Sequence, residues 1–395
     1  MERHLRAARL ATFAYFVLNG FLMGMWIVHI PTIEQRVGIG HATLGWLLLL
    51  LGAGAFVGMQ VVGPLTDRFG ARTVVPLSAA LCAATVALPG LAGNVWTLGA
   101  ALLALGMGNG CLDVSMNAHA VQVEHAYRRP VMSAFHAAFS IGGVLAALIG
   151  ARTLSWGWTP ATTLLSVAAV GIAASVLAAP ALLRPERAPA AEPGAGAVKT
   201  RRRTPRHIWM LAALALMIML CEGVANDWST LHLRRVLDAP PATAALAYGA
   251  FATAMTVGRL LTDRLAARYG PAAILRYGAA LAALGLTAAA LSGQVPLALA
   301  GWAVFGAGLS GCVPQLFSAA GHADQDATGA NVSRVAGLGY LGMLAGPAVI
   351  GPLTRFVPLN VTFFLPVAFC VVAACAAGIV RPPSRAAEPV EAEAA

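Results

Sequence analysis

The sequence predicts an all-α integral membrane fold of twelve transmembrane helices, arranged as two six-helix pseudo-repeats. Three observations predict it. Only 11% of the residues are charged, against roughly a quarter in a soluble chain, while 58% are hydrophobic and the mean hydropathy is +0.74. Apolar runs of about 20 residues recur along the 395 positions, each long enough to cross a hydrocarbon core of about 30 Å. Finally, Leu65-Thr66-Asp67-Arg68 recurs as Leu261-Thr262-Asp263-Arg264, an offset (261 − 65) of 196 residues, close to half the chain.

Taken in order, the first run (near 10–32) follows Arg3, Arg6 and Arg9, a basic start like that of a secretory signal. It is long enough to span and further spans follow, so it reads as an uncleaved first helix. Runs near 44–66, 73–92, 96–118 (with a polar end that extends toward Val123), 131–152 and 159–183 complete a first half, residues 1–183. Residues 184–207 are rich in Pro, Ala and Gly and carry Lys199, Arg201, Arg202, Arg203 and Arg206. With no apolar face to bury, this stretch reads as a linker lying against anionic headgroups on the cytoplasmic side. The second half, residues 208–380, has runs near 208–232, 243–265, 271–292, 296–320, 331–353 and 359–380, and an Ala/Glu-rich tail expected to be disordered occupies 381–395. With the N-terminus inside, the outer loops hold only Arg36, Arg152, Arg234, Arg235 and Arg355 of 26 basic residues. That asymmetry places both termini in the cytoplasm. The 42 glycines suit close helix approach in lipid.

Several function classes are excluded. A net charge of +10 invites a nucleic-acid reading, but the basic residues cluster in short loops, as a membrane topology requires, so no nucleic-acid partner is expected. The six cysteines fall in apolar spans without C-x-x-C spacing, which argues against a disulfide framework or a metal site. There is no G-x-x-x-x-G-K-[ST] loop, no clustered nucleophile and no sign of a cofactor, so neither ATP-driven work nor an enzyme is expected.

Gly63-Pro64-Leu65-Thr66-Asp67-Arg68-Phe69-Gly70-Ala71-Arg72 fits the pattern G-x-L-x-D-R-x-G-x-R. Its glycines allow two helix ends to approach and turn tightly. Asp67 can accept hydrogen bonds from a neighbouring helix N-terminus or from an arginine, latching the halves together. Gly258-Arg259 with Asp263, Arg264 and Arg268 is the looser counterpart. The pattern resembles the signature of the major facilitator superfamily. Gly110-Cys111-Leu112-Asp113-Val114-Ser115-Met116-Asn117 is similar to the fourth-helix motif of fucose permease and its relatives. Cys221-Glu222-Gly223-Val224-Ala225-Asn226-Asp227-Trp228 resembles a seventh-helix motif of YbjJ-like bacterial inner-membrane proteins.

This resemblance implies a major facilitator fold and a monomeric secondary transporter of the bacterial plasma membrane, with a small polar solute such as a sugar as its partner and protons as the coupling ion. An exporter of drug-like or secondary metabolites is the alternative, and a non-transporting sensor or enzyme a distant one. One departure stands out: fucose permease has a first-helix aspartate for proton coupling and sugar binding, whereas Gly24 to Pro31 here offers only Trp26 and His29.

Ionisable groups at membrane depth are costly and mark function. Asn109, Asp113 and Asn117 share one helix face at i, i+4, i+8, a polar stripe that lines a cavity or makes interhelical hydrogen bonds. With His136, Asn226 and Trp228 they form the candidate substrate set. Glu222 lies about fourteen residues into the seventh span, roughly 21 Å along it and past the midplane. It is the candidate proton carrier, with Asp227 toward the outer mouth. The competing reading is a structural ion pair of Glu222 with Arg259 or Arg334. The candidate gate comprises Gly63, Asp67, Arg68, Gly70, Arg72, Gly258, Arg259, Asp263 and Arg264.

Overall fold

The computed structural model describes residues 2–39, 41–183 and 204–380. Most of the expected linker (184–207) and all of the expected tail (381–395) therefore lie outside the described residues. The first half consists of α1 (Glu2–Val37), α2 (His41–Phe69), α3 (Ala71–Leu91), α4 (Val95–Tyr127), α5 (Met132–Ser155) and α6 (Pro160–Ala178). The second begins with α7 (Arg206–Val236), α8 (Pro241–Tyr269) and α9 (Pro271–Leu291). Its tenth span is split into α10 (Val295–Leu309) and α11 (Cys312–His322); α12 (Thr328–Leu353) follows, and the last span is split into α13 (Leu359–Thr362) and α14 (Phe364–Ala376).

The twelve expected spans are thus present, two of them broken. Both breaks fall four residues before a proline: Ser310 precedes Pro314, and Thr362 precedes Pro366. A proline ring collides with the carbonyl four residues back and removes a donor, so the ladder fails there. Pro31, Pro64, Pro76 and Pro89 sit inside unbroken helices, so proline alone does not decide the outcome. At the first break Ser310 and Gly311 add two poor helix formers.

Helices α4 and α6 start where a side chain satisfies their first N–H groups. Asn94 opens α4 by accepting from Trp96 N and Thr97 N, both at 3.0 Å, in a capping box closed by Thr97. Thr159 opens α6, with Pro160 at the first helical position. Gly70 (φ 79°) and Gly270 (φ 83°) make the turns from α2 to α3 and from α8 to α9, a left-handed conformation that favours glycine. The repeat seen in the sequence is therefore a repeat of turns as well as letters.

Each half packs in the same pattern. Helix α1 lies along α5, α2 along α4, and α3 along α6; correspondingly α7 lies along α12, α8 along α10, and α9 along α14. The halves meet chiefly through α2 against α12 and α5 against α8. Large apolar side chains such as Trp46, Leu77, Leu148, Leu177 and Leu284 are exposed on the outside, as a lipid-facing surface requires. Eleven spans among the described residues are long and apolar enough to cross a membrane. Helix α8 falls outside that set: its runs of alanine, glycine and threonine are only mildly apolar, and its second half carries Arg259, Asp263, Arg264 and Arg268.

Candidate functional site

The two halves are joined by a reciprocal pair of helix caps on the side of the bundle where α1 begins. Asp67, at the end of α2, accepts from Gly329 N at 2.6 Å and Ala330 N at 2.9 Å, at the start of α12. Asp263, at the end of α8, accepts from Ser133 N at 2.9 Å and Ala134 N at 2.7 Å, at the start of α5. The same offset of 196 residues relates Asp67 to Asp263, Ser133 to Gly329 and Ala134 to Ala330, so each half caps the other in the same way. The first N–H groups of a helix have no internal acceptor and carry the positive end of its dipole, so a carboxylate there is held by charge-assisted hydrogen bonds.

Glu124 at the end of α4, which the sequence reading did not single out, adds a third link. Its Oε2 accepts from Val131 N at 2.9 Å and Met132 N at 3.0 Å, and its Oε1 accepts from the hydroxyl of Ser318 on α11. The opening N–H groups of α5 are thereby shared between Glu124 of their own half and Asp263 of the other. The available signal was an acid near the end of one predicted helix, a short loop before the next.

The other proposed gate residues divide. Gly63 lies where α2 meets α12, and a Cβ there would sit 2.8 Å from the Gly329 carbonyl oxygen. A Cβ on Gly258 would meet Ser310, just past the end of α10, so that glycine serves packing within its half. Arg68 lies over the Phe69 ring, Arg72 donates to the Pro180 carbonyl at 3.4 Å, and Arg264 is exposed. None of the three makes a hydrogen bond or ion pair across the halves among the described residues. Of the two partners foreseen for Asp67, the helix N-terminus is the one that bonds it. Gly63→Val is expected to lower the population of the closed arrangement about tenfold or more, since overpacking costs about 1–3 kcal/mol. The measurement is alkylation of a cysteine placed at Gln60 in a background lacking the exposed Cys375, the other five cysteines being buried. An unchanged alkylation rate would show that the contact tolerates a side chain.

Deeper in the bundle lie two polar groups. On α4, Asn109, Asp113 and Asn117 are all buried. Asn117 Nδ2 donates to the Asp113 carbonyl at 2.9 Å and approaches its Oδ1 at 3.4 Å. Asp113 Oδ2 and Asn117 Oδ1 are buried without a protein partner. Tyr340 of α12 reaches toward Asn109 from the other half, in the field of Asp113 and Glu222. The second group crosses the boundary outright. Arg259 Nη2 of α8 pairs with Glu222 Oε1 of α7 at 3.6 Å, and its Nη1 donates to Ser140 Oγ of α5 at 3.2 Å. Ser140 in turn donates to the His136 carbonyl at 3.4 Å, and the His136 ring stands edge-on to Phe16 and Phe317.

Arg259 therefore belongs with this cluster and not with the latch with which the sequence grouped it. It lies one turn inward of Asp263, and a buried guanidinium needs a counter-charge, which Glu222 supplies. At such a distance the gross attraction is about 4 kcal/mol for an effective dielectric constant of about 20. Asn226 and Asp227 are exposed, and among the described residues neither makes a hydrogen bond or ion pair with the cluster. Trp228 is half-buried, its ring within 3.9 Å of a Cβ built on Gly351 of α12, and its Nε1 has no partner. Trp26 is packed in the core, and His29 bonds the Met25 carbonyl of its own helix at 2.8 Å. No group of three or more His, Cys, Asp or Glu among the described residues is placed to hold a metal ion.

Comparison with known proteins agrees with this architecture. The sequence profile of the Major Facilitator Superfamily matches residues 11–327 and, in an overlapping second match, 229–395. An uncharacterized MFS-type transporter of Yersinia pestis is 34% identical over 349 residues, covering 88% of this chain and 89% of the relative. An uncharacterized transporter of Sinorhizobium fredii is 33% identical over 368 residues, covering 93% and 97%. Shorter matches at 27% identity reach a D-xylose transporter of Levilactobacillus brevis (180 residues, 44% of this chain, 39% of the relative) and a gentisate transporter of Corynebacterium glutamicum (161 residues, 38% and 35%). The solved structure of the transporter FucP in its outward conformation superposes with a TM-score of 0.79 at 16% identity, covering 94% of this chain and 98% of that one, a likeness of fold. With its repeated latches, its twelve spans and a profile match over most of its length, the chain belongs to the Major Facilitator Superfamily, a family of multi-pass membrane transporters and not of enzymes.

Proposed function

We propose that this chain is a proton-coupled secondary transporter that carries a small polar organic solute across a bacterial plasma membrane. It works as a monomer with both termini in the cytoplasm. The observation that carries this reading is the cluster of Glu222, Arg259 and Ser140, which joins the two halves at membrane depth behind a closed pair of caps. A rocking motion that broke the caps would open the cluster to the side where α1 begins. On this reading that side is cytoplasmic, and the arrangement is the outward-facing one. Two of the relatives are named for a sugar and for an aromatic acid, which supports a small polar solute without choosing between neutral and anionic.

The test is reconstitution into proteoliposomes, with counterflow and accumulation driven by an acid-outside pH gradient measured on the same vesicles. Counterflow without pH-driven accumulation would remove proton coupling, and no flux of any polar solute would remove the reading itself. Within it, Asp113 and Asn117 line the solute site. Asp113→Asn keeps the shape but removes the charge, and a weakening of binding by about tenfold or more is expected from the loss of one charge-assisted hydrogen bond. A cysteine placed at 113 or 117 that stays unreactive to water-soluble reagents in every state would show that these residues face no cavity.

A further inference from the structure

We propose that the transported solute carries a carboxylate, and that Arg259 binds it once a proton on Glu222 has freed the guanidinium. This rests on the reading of Glu222 as the coupling acid. One acid here neutralises one base: Arg259 Nη2 stands 3.6 Å from Glu222 Oε1, with 11% and 17% of the two side chains exposed. The rest of the guanidinium finds only neutral company. Nη1 donates to Ser140 Oγ at 3.2 Å, and Nε is buried with no protein acceptor.

The ionisable groups facing this pair are Tyr248 on α8, Tyr340 on α12 and His136 on α5, none of which is an anion near neutral pH. Asp113, in the separate polar group on α4, makes no ion pair with Arg259 among the described residues; its side chain lies beside Asn117. A proton on Glu222 therefore removes the counter-charge of Arg259, and an unpaired charge at this depth is among the costliest arrangements a protein can hold. A neutral sugar brings acceptor oxygens but no charge, so the penalty on protonation would stand. A carboxylate restores neutrality and matches the planar fork of the guanidinium with two parallel hydrogen bonds. Proton and anion then favour each other's binding, which is the linkage that coupled transport needs. One proton and one carboxylate move together, no bond in the solute is made or broken, and the step carries no net charge. Asn109, Asn117 and Tyr340 remain to read hydroxyl groups on the rest of the solute.

The experiment uses the purified full chain and three pairs of probes: D-galacturonate with D-galactose, D-gluconate with D-glucitol, and 3-hydroxybenzoate with 3-hydroxybenzamide. Thermal unfolding at about pH 6 and pH 8 reads binding, because a ligand of the native state raises the midpoint. At least one acid is expected to raise it, more at the lower pH, with its neutral twin binding about tenfold more weakly or worse. Glu222→Gln, a standing mimic of the protonated acid, should bind that acid equally at both pH values. Arg259→Gln should lose it by about 100-fold, as when one partner of a buried charge pair is truncated. Arg259→Lys should recover part of the loss. If Arg259→Gln fails to fold, Glu222→Gln and Arg259→Lys carry the test. Neutral twins binding as well as the acids, no acid shifting the midpoint, or acid binding unchanged in Arg259→Gln would each overturn the proposal. A neutral twin accumulated under a pH gradient would overturn it and leave proton-coupled transport standing. Acid binding that tracks Arg259 without any flux would do the reverse.

Discussion

Replacing both Asp67 and Asp263 with alanine should open the α1-start face of the bundle and slow net transport by about two orders of magnitude. Each carboxylate accepts two backbone N–H groups at the first turn of a helix in the other half. Hydrogen bonds to a charged group contribute about 1.5–3 kcal/mol, and water recovers part of that once the halves part. A net loss of about 1.4 kcal/mol per cap shifts the balance tenfold, and the two caps, which share no partner, should add. Solute affinity should stay within a few fold, because neither aspartate touches the central cluster. Each single variant should give about the square root of the double effect, as the 196-residue symmetry demands. The checks are proteoliposome flux and alkylation of a cysteine at Gln60; if both are unchanged in the double variant, the caps do not hold the closed state. Glu124, which also serves the start of α5, should be left intact, since its loss would disturb that helix within its own half.

Much of this fold was legible because lipid leaves so few alternatives. A run of about 20 apolar residues in a chain this poor in charge has to be a helix, since backbone groups in hydrocarbon must bond within the segment. Hydropathy measures the lipid-buried part of a helix, however, and not the helix. So α1 starts at Glu2, before the apolar run that begins near Leu10, and α4 continues to Tyr127, past its apolar part. The two broken spans escaped because a proline acts on the carbonyl four residues back only where neighbouring residues also disfavour the helix. In the site, the i, i+4, i+8 stripe on α4 could be read directly, since helical periodicity alone puts Asn109, Asp113 and Asn117 together. What periodicity cannot show is which groups meet across two halves. Arg259 sits beside the latch in sequence and beside Glu222 in space; one helical turn and a long side chain separate the two assignments. Of the two readings of Glu222, the ion pair with Arg259 is the one with geometry behind it, and that pairing is compatible with a proton-carrying role only if the pair can be broken and remade.

That condition defines the second large effect. Glu222→Gln should abolish uphill accumulation driven by a pH gradient while preserving counterflow exchange. The amide keeps the shape of a protonated carboxyl group and cannot release a proton, so any step that needs Glu222 to recharge is lost. Exchange moves one solute in for one solute out and needs no net proton movement, so it survives. The ion pair sharpens the expectation. In the parent protein the charged acid is held by Arg259 at 3.6 Å, with Ser140 of the other half on the same guanidinium. Discharging Glu222 thus loosens a contact within the second half whose guanidinium also bonds Ser140 of the first, which connects the proton to the rocking motion. In Glu222→Gln that contact is loosened permanently, so exchange should be as fast as in the parent or faster, and its dependence on pH should flatten. Both activities are read in the same vesicles, so a defect in insertion or folding would lower them together and be recognised as such. Uphill accumulation that survives in Glu222→Gln would take Glu222 out of the coupling step. The remaining candidates would then be Asp113, whose Oδ2 has no protein partner, and His136, whose Nε2 has none either. Asp113→Asn and His136→Gln, assayed for the same split between accumulation and exchange, would decide between them.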